Sequence, residues 1–300
     1  MTAHYLVCDI GGTHLKYALM NEEGMILENH HIATPENLAD FWQVLGSIIE
    51  VYRQDINGIA FSAPGKIDTA QGIIEQGGSL FYLNQVALAA EIKERYDLPA
   101  RVINDGKAAA LAEYWKGSLK RQDNSAAIIL GTGVGGGLIL DGQLRHGPHS
   151  QAGELSFMQL NARGFDISTM SGSLGSAVGM VKAVNQAVGH LDETDGRAAF
   201  GAIEAGHEKA KAIFEQYCRV IATIILNTHT ILDLEAIAIG GGISAQPCLL
   251  VEINRQYDLM LEESPLFKAV LTRPAILKAR FGNQANLIGA LYHYLQSQAL

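Results

Sequence analysis

Asp9-Ile10-Gly11-Gly12-Thr13 sets a carboxylate, two glycines and a hydroxyl side by side at the end of the apolar run Tyr5–Ile10. Gly11 and Gly12 let the backbone turn tightly and approach an anion with no side chain in the way, and Thr13 adds a hydroxyl and an N–H. Asp9 can order Mg2+ through water. The chemistry open to such a set is the holding of a phosphate group with its metal. Leu15, Tyr17 and Leu19 then alternate with His14, Lys16 and Ala18, the period of a strand, so the glycines sit in a hairpin. A dinucleotide or Walker site would continue as a helix instead. Lys16 reads equally as extra positive charge and as part of a solvated strand face, and a tight hairpin without ligand is the plain alternative.

The pattern recurs about 120 residues later, which suggests a duplicated domain. Ser125–Leu130 form an apolar strand, residues 131–137 hold five glycines in seven positions, and Leu138-Ile139-Leu140 return to a closing Asp141-Gly142 turn. So many glycines carry a high cost in chain entropy, and close backbone approach to a ligand explains them better than an ordinary hairpin does. Thr132, Gly133 and Gly135 are the ligand-facing candidates, with Thr13 and Thr132 as the phosphate-facing hydroxyls. A third element, Ala236-Ile237-Ala238-Ile239-Gly240-Gly241-Gly242, puts glycines between a strand and a helix, where a flat base can lie against backbone.

With these elements in order the chain resembles the ROK family of sugar kinases and sugar-responsive repressors, within the hexokinase, actin and heat-shock ATPase superfamily. The matching residues are Asp9–Lys16, Ser62-Ala63-Pro64-Gly65, Asn104-Asp105 followed by Ala108-Ala109-Ala110, Leu130–Gly142, Ala152-Gly153-Glu154, Gly240-Gly241-Gly242, and Gly282-Asn283 through Gly289-Ala290. The resemblance implies an α/β fold of two ribonuclease-H-like (actin-like ATPase) domains flanking an interdomain cleft. Residues 1–117 would bind sugar and phosphate and be completed by the C-terminal helix 286–300, and residues 118–285 would bind nucleotide. It further implies an enzyme, an ATP-dependent kinase that moves the γ-phosphate to the 6-hydroxyl of a hexose or derivative (glucose, β-glucoside or N-acetylmannosamine type), with ATP and Mg2+ as cofactors. Asp105 would be the catalytic base, although its place between strand and helix also suits an N-cap. Asn104, Gly65, Ser79 and Glu154 would line the sugar site. Asp9, Gly11, Gly12, Thr13, Lys16, Thr132, Gly133, Gly135, Gly240, Gly241 and Gly242 would hold the nucleotide and its Mg2+, the metal through water on Asp9.

The chain departs from the common family pattern at two places. Where many members carry a Gly-His pair and a cysteine-rich zinc loop after the Gly-Glu, this one reads Gly153-Glu154-Leu155-Ser156-Phe157. No cysteine lies between Cys8 and Cys218, so no zinc site is expected, and packing by Phe157, Met158 and Phe165 is the expected substitute. Ser79 stands about where many members have a sugar-binding asparagine.

Periodicity places the remaining elements. Thr34-Pro35 is expected to open a helix with Leu38, Phe41, Trp42, Leu45, Ile48, Ile49 and Tyr52 on one face; Ala87–Tyr96, Lys107–Trp115 and His207–Leu232 read as further helices, and the resemblance implies a last helix, Asn286–Gln298, packed back on the first domain. Composition agrees with two packed domains: 48% of the residues are hydrophobic and no flexible linker interrupts them. A net charge of -9 argues against nucleic acid as a partner, and no apolar run is long enough to span a membrane. The first strand starts by residue 5, so neither a signal peptide nor the preceding helix-turn-helix that a repressor would need is expected; three scattered cysteines suit a reducing cytoplasm. A homodimer is the expected assembly, and a catalytically silent sugar-binding or regulatory protein is the alternative to the kinase.

Overall fold

The computed structural model describes residues 3–162 and 164–298. The chain divides into two compact units, one of Met1–Trp115, His146–Ala152 and Gln284–Leu300, the other of Lys116–Arg145 and Gly153–Asn283.

In the first unit β1 (His4–Ile10), β2 (His14–Asn21) and β3 (Ile26–Ala33) form an antiparallel meander. After helix α1 (Leu38–Tyr52), strand β4 (Ile59–Ala63) returns parallel to β1. A small hairpin of β5 (Lys66–Asp68) and β6 (Ile73–Gln76) and helix α2 (Leu88–Tyr96) lead to β7 (Ala100–Asn104), parallel to β4, and to helix α3 (Asp105–Lys116). The sheet order is β3-β2-β1-β4-β7. Strands β1 and β4 are buried on both faces, hence their nearly unbroken apolar runs.

The second unit repeats the plan. Strands β8 (Ser125–Leu130), β9 (Val134–Leu140) and β10 (Gln143–Leu144) form its meander. Helices α4 (Ser171–Leu174), α5 (Ala177–Val188), α6 (Gly196–Glu204) and α7 (Glu208–Leu232) follow. Strand β11 (Ala236–Gly241) lies parallel to β8; after α8 (Pro247–Glu262) and α9 (Pro265–Val270), β12 (Ala275–Lys278) lies parallel to β11. The order β10-β9-β8-β11-β12 has the same polarities as the first sheet, so the duplication read from two glycine hairpins extends to the whole topology.

Helix α10 (Ala285–Gln298) returns to the first unit and packs on β1, β4 and β7. It touches α3 backbone to backbone at Gly289, where a Cβ would stand 1.7 Å from the Ala108 carbonyl oxygen. Segment His146–Ala152, read from sequence as part of the second domain, also belongs to the first unit. Lys107 Nζ donates to Ser150 O (2.8 Å) and His146 O (3.5 Å), which ties that loop to α3.

Helix starts differ from expectation where a side chain has a better partner. Helix α1 begins at Leu38, not at Thr34-Pro35, because Asn37 Oδ1 accepts from Asp40 N at 3.0 Å and caps it. Thr34 is spent on the turn after β1, its Oγ1 donating to Gly11 O at 2.6 Å and its N–H to Thr13 O at 3.0 Å.

His293 of α10 carries a pH signature. Burial, then His146, then Arg101 push its pKa from 6.5 down to about 4, and burial with the Lys107 ammonium also lowers His146. Depressed histidines favour folding while they stay neutral. Stability should therefore fall as pH drops below about 6.5, where the unfolded chain takes up the proton first, with the full loss reached near pH 4. The fall from 6.5 to about 4, at about 1.4 kcal/mol for each tenfold change in proton affinity, bounds the His293 contribution at about 3 to 4 kcal/mol. Urea unfolding between pH 7 and 4.5 should give a flatter pH slope for His293→Gln than for the wild type; parallel slopes would refute this.

Candidate functional site

In the first unit, Asp9 is the next-to-last residue of β1 and pairs in register with Lys16 of β2. Cross-strand partners share a face. Lys16 Nζ accordingly lies 3.5 Å from Asp9 Oδ2, and Asn286 Nδ2 donates to Asp9 Oδ1 at 3.0 Å. Asp9 is only 3% exposed, so its charge is kept in a site with defined partners. Lys16, open between two readings in the sequence, is half-buried and faces this carboxylate. Asn286 was not singled out by sequence reasoning: it sits 277 residues away, and only the return of α10 brings it in.

The turn between β1 and β2 is closed by Gly11 N donating to His14 O at 3.0 Å, and it leaves Gly12 and Thr13 exposed. A Cβ on Gly12 would stand 3.1 Å from Ser79 Oγ, so Ser79 lies beside this turn.

At the β7–α3 junction Asn104 does three jobs. Its Oδ1 accepts Lys107 N at 3.1 Å, which makes Asn104 the cap that the sequence left open for Asp105. Its Nδ2 donates to Gly65 O and to Asp105 Oδ1, both at 3.0 Å. Gly106 N donates to the same Asp105 oxygen at 2.7 Å. Asp105 is thus the first residue of α3, a half-buried carboxylate held in one orientation at a strand's end. Gly65 is demanded by the fold itself: its φ is +85°, and a Cβ would come within 2.0 Å of Gln76 O.

The second unit carries the other glycine turn. Leu130 pairs with Val134 in β8 and β9, and Gly131 N donates to Gly133 O at 3.0 Å across the turn. A Cβ on Gly131 would meet nothing within 4 Å, and one on Gly133 only Gly172 O at 3.7 Å, with neither residue at positive φ. The protein's own packing does not explain these glycines, whereas a ligand lying on the turn does. Thr132 between them is exposed. The α5 N-terminus adjoins the turn, Ala177 N donating to Gly131 O at 2.9 Å; that amide is spent, but the positive end of the helix dipole remains beside the turn.

The third glycine cluster divides. Gly241 has φ +97° and a Cβ there would be 2.0 Å from Leu130 O, and Gly240 is crowded by Ile129 Cδ1 at 2.8 Å. Packing against β8 by itself requires a glycine at Gly241, and at Gly240 the neighbour is the end of the Ile129 side chain. Only Gly242 has nothing within 4 Å of its Cβ position.

Glu154 is exposed, and Ser156 Oγ donates to its Oε1. The segment after it corrects a second expectation. Phe157 is 66% and Phe165 84% exposed, so neither packs the loop down. Met158 does rest on the core, with buried Leu155. Hydrogen bonds do the rest: Ser171 donates its N–H to Met158 O at 2.9 Å and its hydroxyl to Leu155 O. Gln159 Nε2 reaches Thr169 Oγ1 (2.6 Å), Asn161 O (2.8 Å) and Gly164 O (3.1 Å). Among the described residues no cluster of three or more His, Cys, Asp or Glu could hold a metal ion.

Comparison with known proteins covers the whole arrangement. A family model described as the ROK family matches residues 5–297. The chain is 29% identical to a beta-glucoside kinase of Klebsiella pneumoniae, over 96% of this chain and 95% of the relative. It is 28% identical to an N-acetylmannosamine kinase of Haemophilus influenzae, over 96% and 94%. A crystal structure of a ROK family protein from Streptococcus pneumoniae in complex with sucrose superposes with a TM-score of 0.89, at 30% identity over 99% of both chains.

Proposed function

This chain belongs to the ROK family, and from that premise we propose that it is an ATP-dependent sugar kinase acting on the 6-hydroxyl of a hexose or hexose derivative. The observation that carries the reading is the Asn104–Asp105 junction, where one amide side chain fixes both the carboxylate and the Gly65 loop. A general base needs this kind of held orientation.

Phosphoryl transfer asks for positioning and charge stabilisation more than for covalent work by the protein. The sugar hydroxyl attacks the γ-phosphorus, its proton passes to the Asp105 carboxylate, and the bond to the leaving oxygen of ADP breaks. Asn104, the Gly65 loop, Ser79 and Glu154 bind the sugar. Thr13, Gly12, Thr132 and Gly133 hold phosphate, and Gly242 lies under the base. Gly11, Gly135, Gly240 and Gly241 give the nucleotide close approach to backbone, and Lys16 balances Asp9. Asp9, a nearly buried acceptor at the phosphate turn, fits Mg2+ held through water; the ion would supply charge neutralisation on the phosphates. No helix among the described residues is long and apolar enough to cross a membrane, and a cytoplasmic homodimer belongs to the same reading.

Phe157 supports a reading of the substrate class. It is exposed and follows Glu154 by three residues, where many members of the family carry a histidine near the sugar's anomeric end, and phenylalanine cannot hydrogen-bond a free anomeric hydroxyl but can pack on a second ring or an apolar aglycone. We therefore expect a substituted sugar, a β-glucoside or an N-acetylated hexosamine, to be used about as well as glucose. The hydrogen bond not made is worth about 0.5–1.5 kcal/mol, a shift of roughly two- to twelvefold. A coupled ADP-release assay of kcat/KM for glucose, an aryl β-glucoside and N-acetylmannosamine tests both levels. Preference for glucose by about a hundredfold or more would remove the role of Phe157. Sugar binding without any turnover would leave the catalytically silent reading in its place.

A further inference from the structure

An open cavity of about 610 Å3 lies within the first unit, lined by Lys66 and Glu75 of the β5–β6 hairpin, Arg101 of β7, His146 and His149 of the connecting loop, and His293 of α10. It shares no lining residue with Asn104, Asp105, Gly65, Ser79 or the glycine turn, so it is separate from the site described above.

Its charges do not cancel. The two carboxylates in its wall are already engaged. Asp68 accepts from Ala70 N (3.1 Å), Gln71 N (3.0 Å) and Gln71 Nε2 (3.0 Å), and Glu75 pairs with Lys66 at 2.7 Å. Arg101 donates from Nη1 to Ala100 O at 2.9 Å and forms no ion pair among the described residues. The His146 and His293 rings stand with centroids 6.1 Å apart, and His146 Nδ1 and His293 Nε2 are buried without a hydrogen-bond partner. Buried polar atoms left unpaired in a native fold call for an explanation, and a bound ligand is one. Arg101 beside His293 and Lys107 beside His146 add positive charge around rings that burial already keeps neutral, which favours an anion over a divalent cation as that ligand.

We propose that this cavity binds a phosphate monoester, its phosphoryl oxygens taken by the Arg101 guanidinium and the ring nitrogens of His146 and His293, and its polyhydroxylated body by Thr69 and Ser297. A guanidinium fork matches phosphate geometry, and the volume suits a ligand of sugar-phosphate size. The loop that forms one wall is tied by Lys107 to α3, two residues after Asp105, so occupancy is transmitted to the helix that carries the base. That the occupant regulates turnover rests on the kinase reading; that it binds does not.

The test uses the full chain without ATP, titrated with glucose 6-phosphate, inorganic phosphate or sulfate while the ring 15N resonances of His146 and His293 are followed by NMR. Glucose 6-phosphate should shift both rings saturably. Arg101→Gln should weaken that binding at least tenfold and Arg101→Lys less, while kcat and KM for sugar without added phosphate stay within about twofold of wild type. The proposal is overturned by any of three results. The first is no ring shift up to about 10 mM ligand. The second is an unchanged affinity in Arg101→Gln, and the third is binding of sulfate or inorganic phosphate as tight as that of glucose 6-phosphate. If the rings shift while the enzyme proves inactive on every sugar, the binding site stands and the kinase reading alone fails.

Discussion

Asp105→Asn should keep the fold and the affinity for ATP and sugar and lose at least about a hundredfold in kcat, the usual scale of a general-base contribution. Asparagine keeps an oxygen for the Asn104 amide and the Gly106 N–H, which hold Asp105 Oδ1 at 3.0 and 2.7 Å, so the geometry of the junction survives while the basic carboxylate is gone. Steady-state kinetics with calorimetric Kd values for both substrates separates these effects. A variant with near-normal kcat would show that Asp105 is only part of the helix start. A loss confined to KM would make it a binding residue.

Gly133→Val should fold and yet weaken ATP by at least tenfold, about 1.4 kcal/mol, while sugar affinity measured alone stays as it was. A Cβ at Gly133 has 3.7 Å to its nearest neighbour, so the added side chain occupies space that the protein leaves open and a nucleotide phosphate would use. Gly241→Ala is the contrasting control. Its left-handed φ of +97° and the 2.0 Å approach to Leu130 O make any Cβ a fault in the β8–β11 pairing, so its primary loss should be of thermal stability. Unchanged ATP affinity in a folded Gly133→Val would take the β8–β9 turn out of nucleotide binding.

The residues by themselves determined the larger plan. Two apolar strands ending in glycine turns about 120 residues apart announced two repeated halves, because strand period and turn chemistry are local properties that no distant contact overrides easily. The Asn104-Asp105 pair was legible for the same reason, as a polar step between an apolar strand and a helix.

Which glycines border open space was not legible. Gly131 and Gly241 look alike along the chain, but the first borders open space and the second the backbone of β8, and only the packed sheet makes that difference. Nor was the manner of holding the segment after Glu154. Its aromatics suggested packing, yet Phe157 and Phe165 stay exposed, and the segment is held by Gln159, which donates to the Thr169 hydroxyl 10 residues on, and by Ser171, which donates to Leu155 O 16 residues back. The partners of Asp9 and the buried histidine pair depend on α10 returning to the first sheet, where Asn286 and His293 meet residues more than a hundred positions away. Local chemistry named the turns and the strands, and the family resemblance named the candidate base. Contacts between distant segments decided what is open, what is buried and which charges are left without a partner, because burial and close approach are properties of the packed chain and not of any short stretch of it.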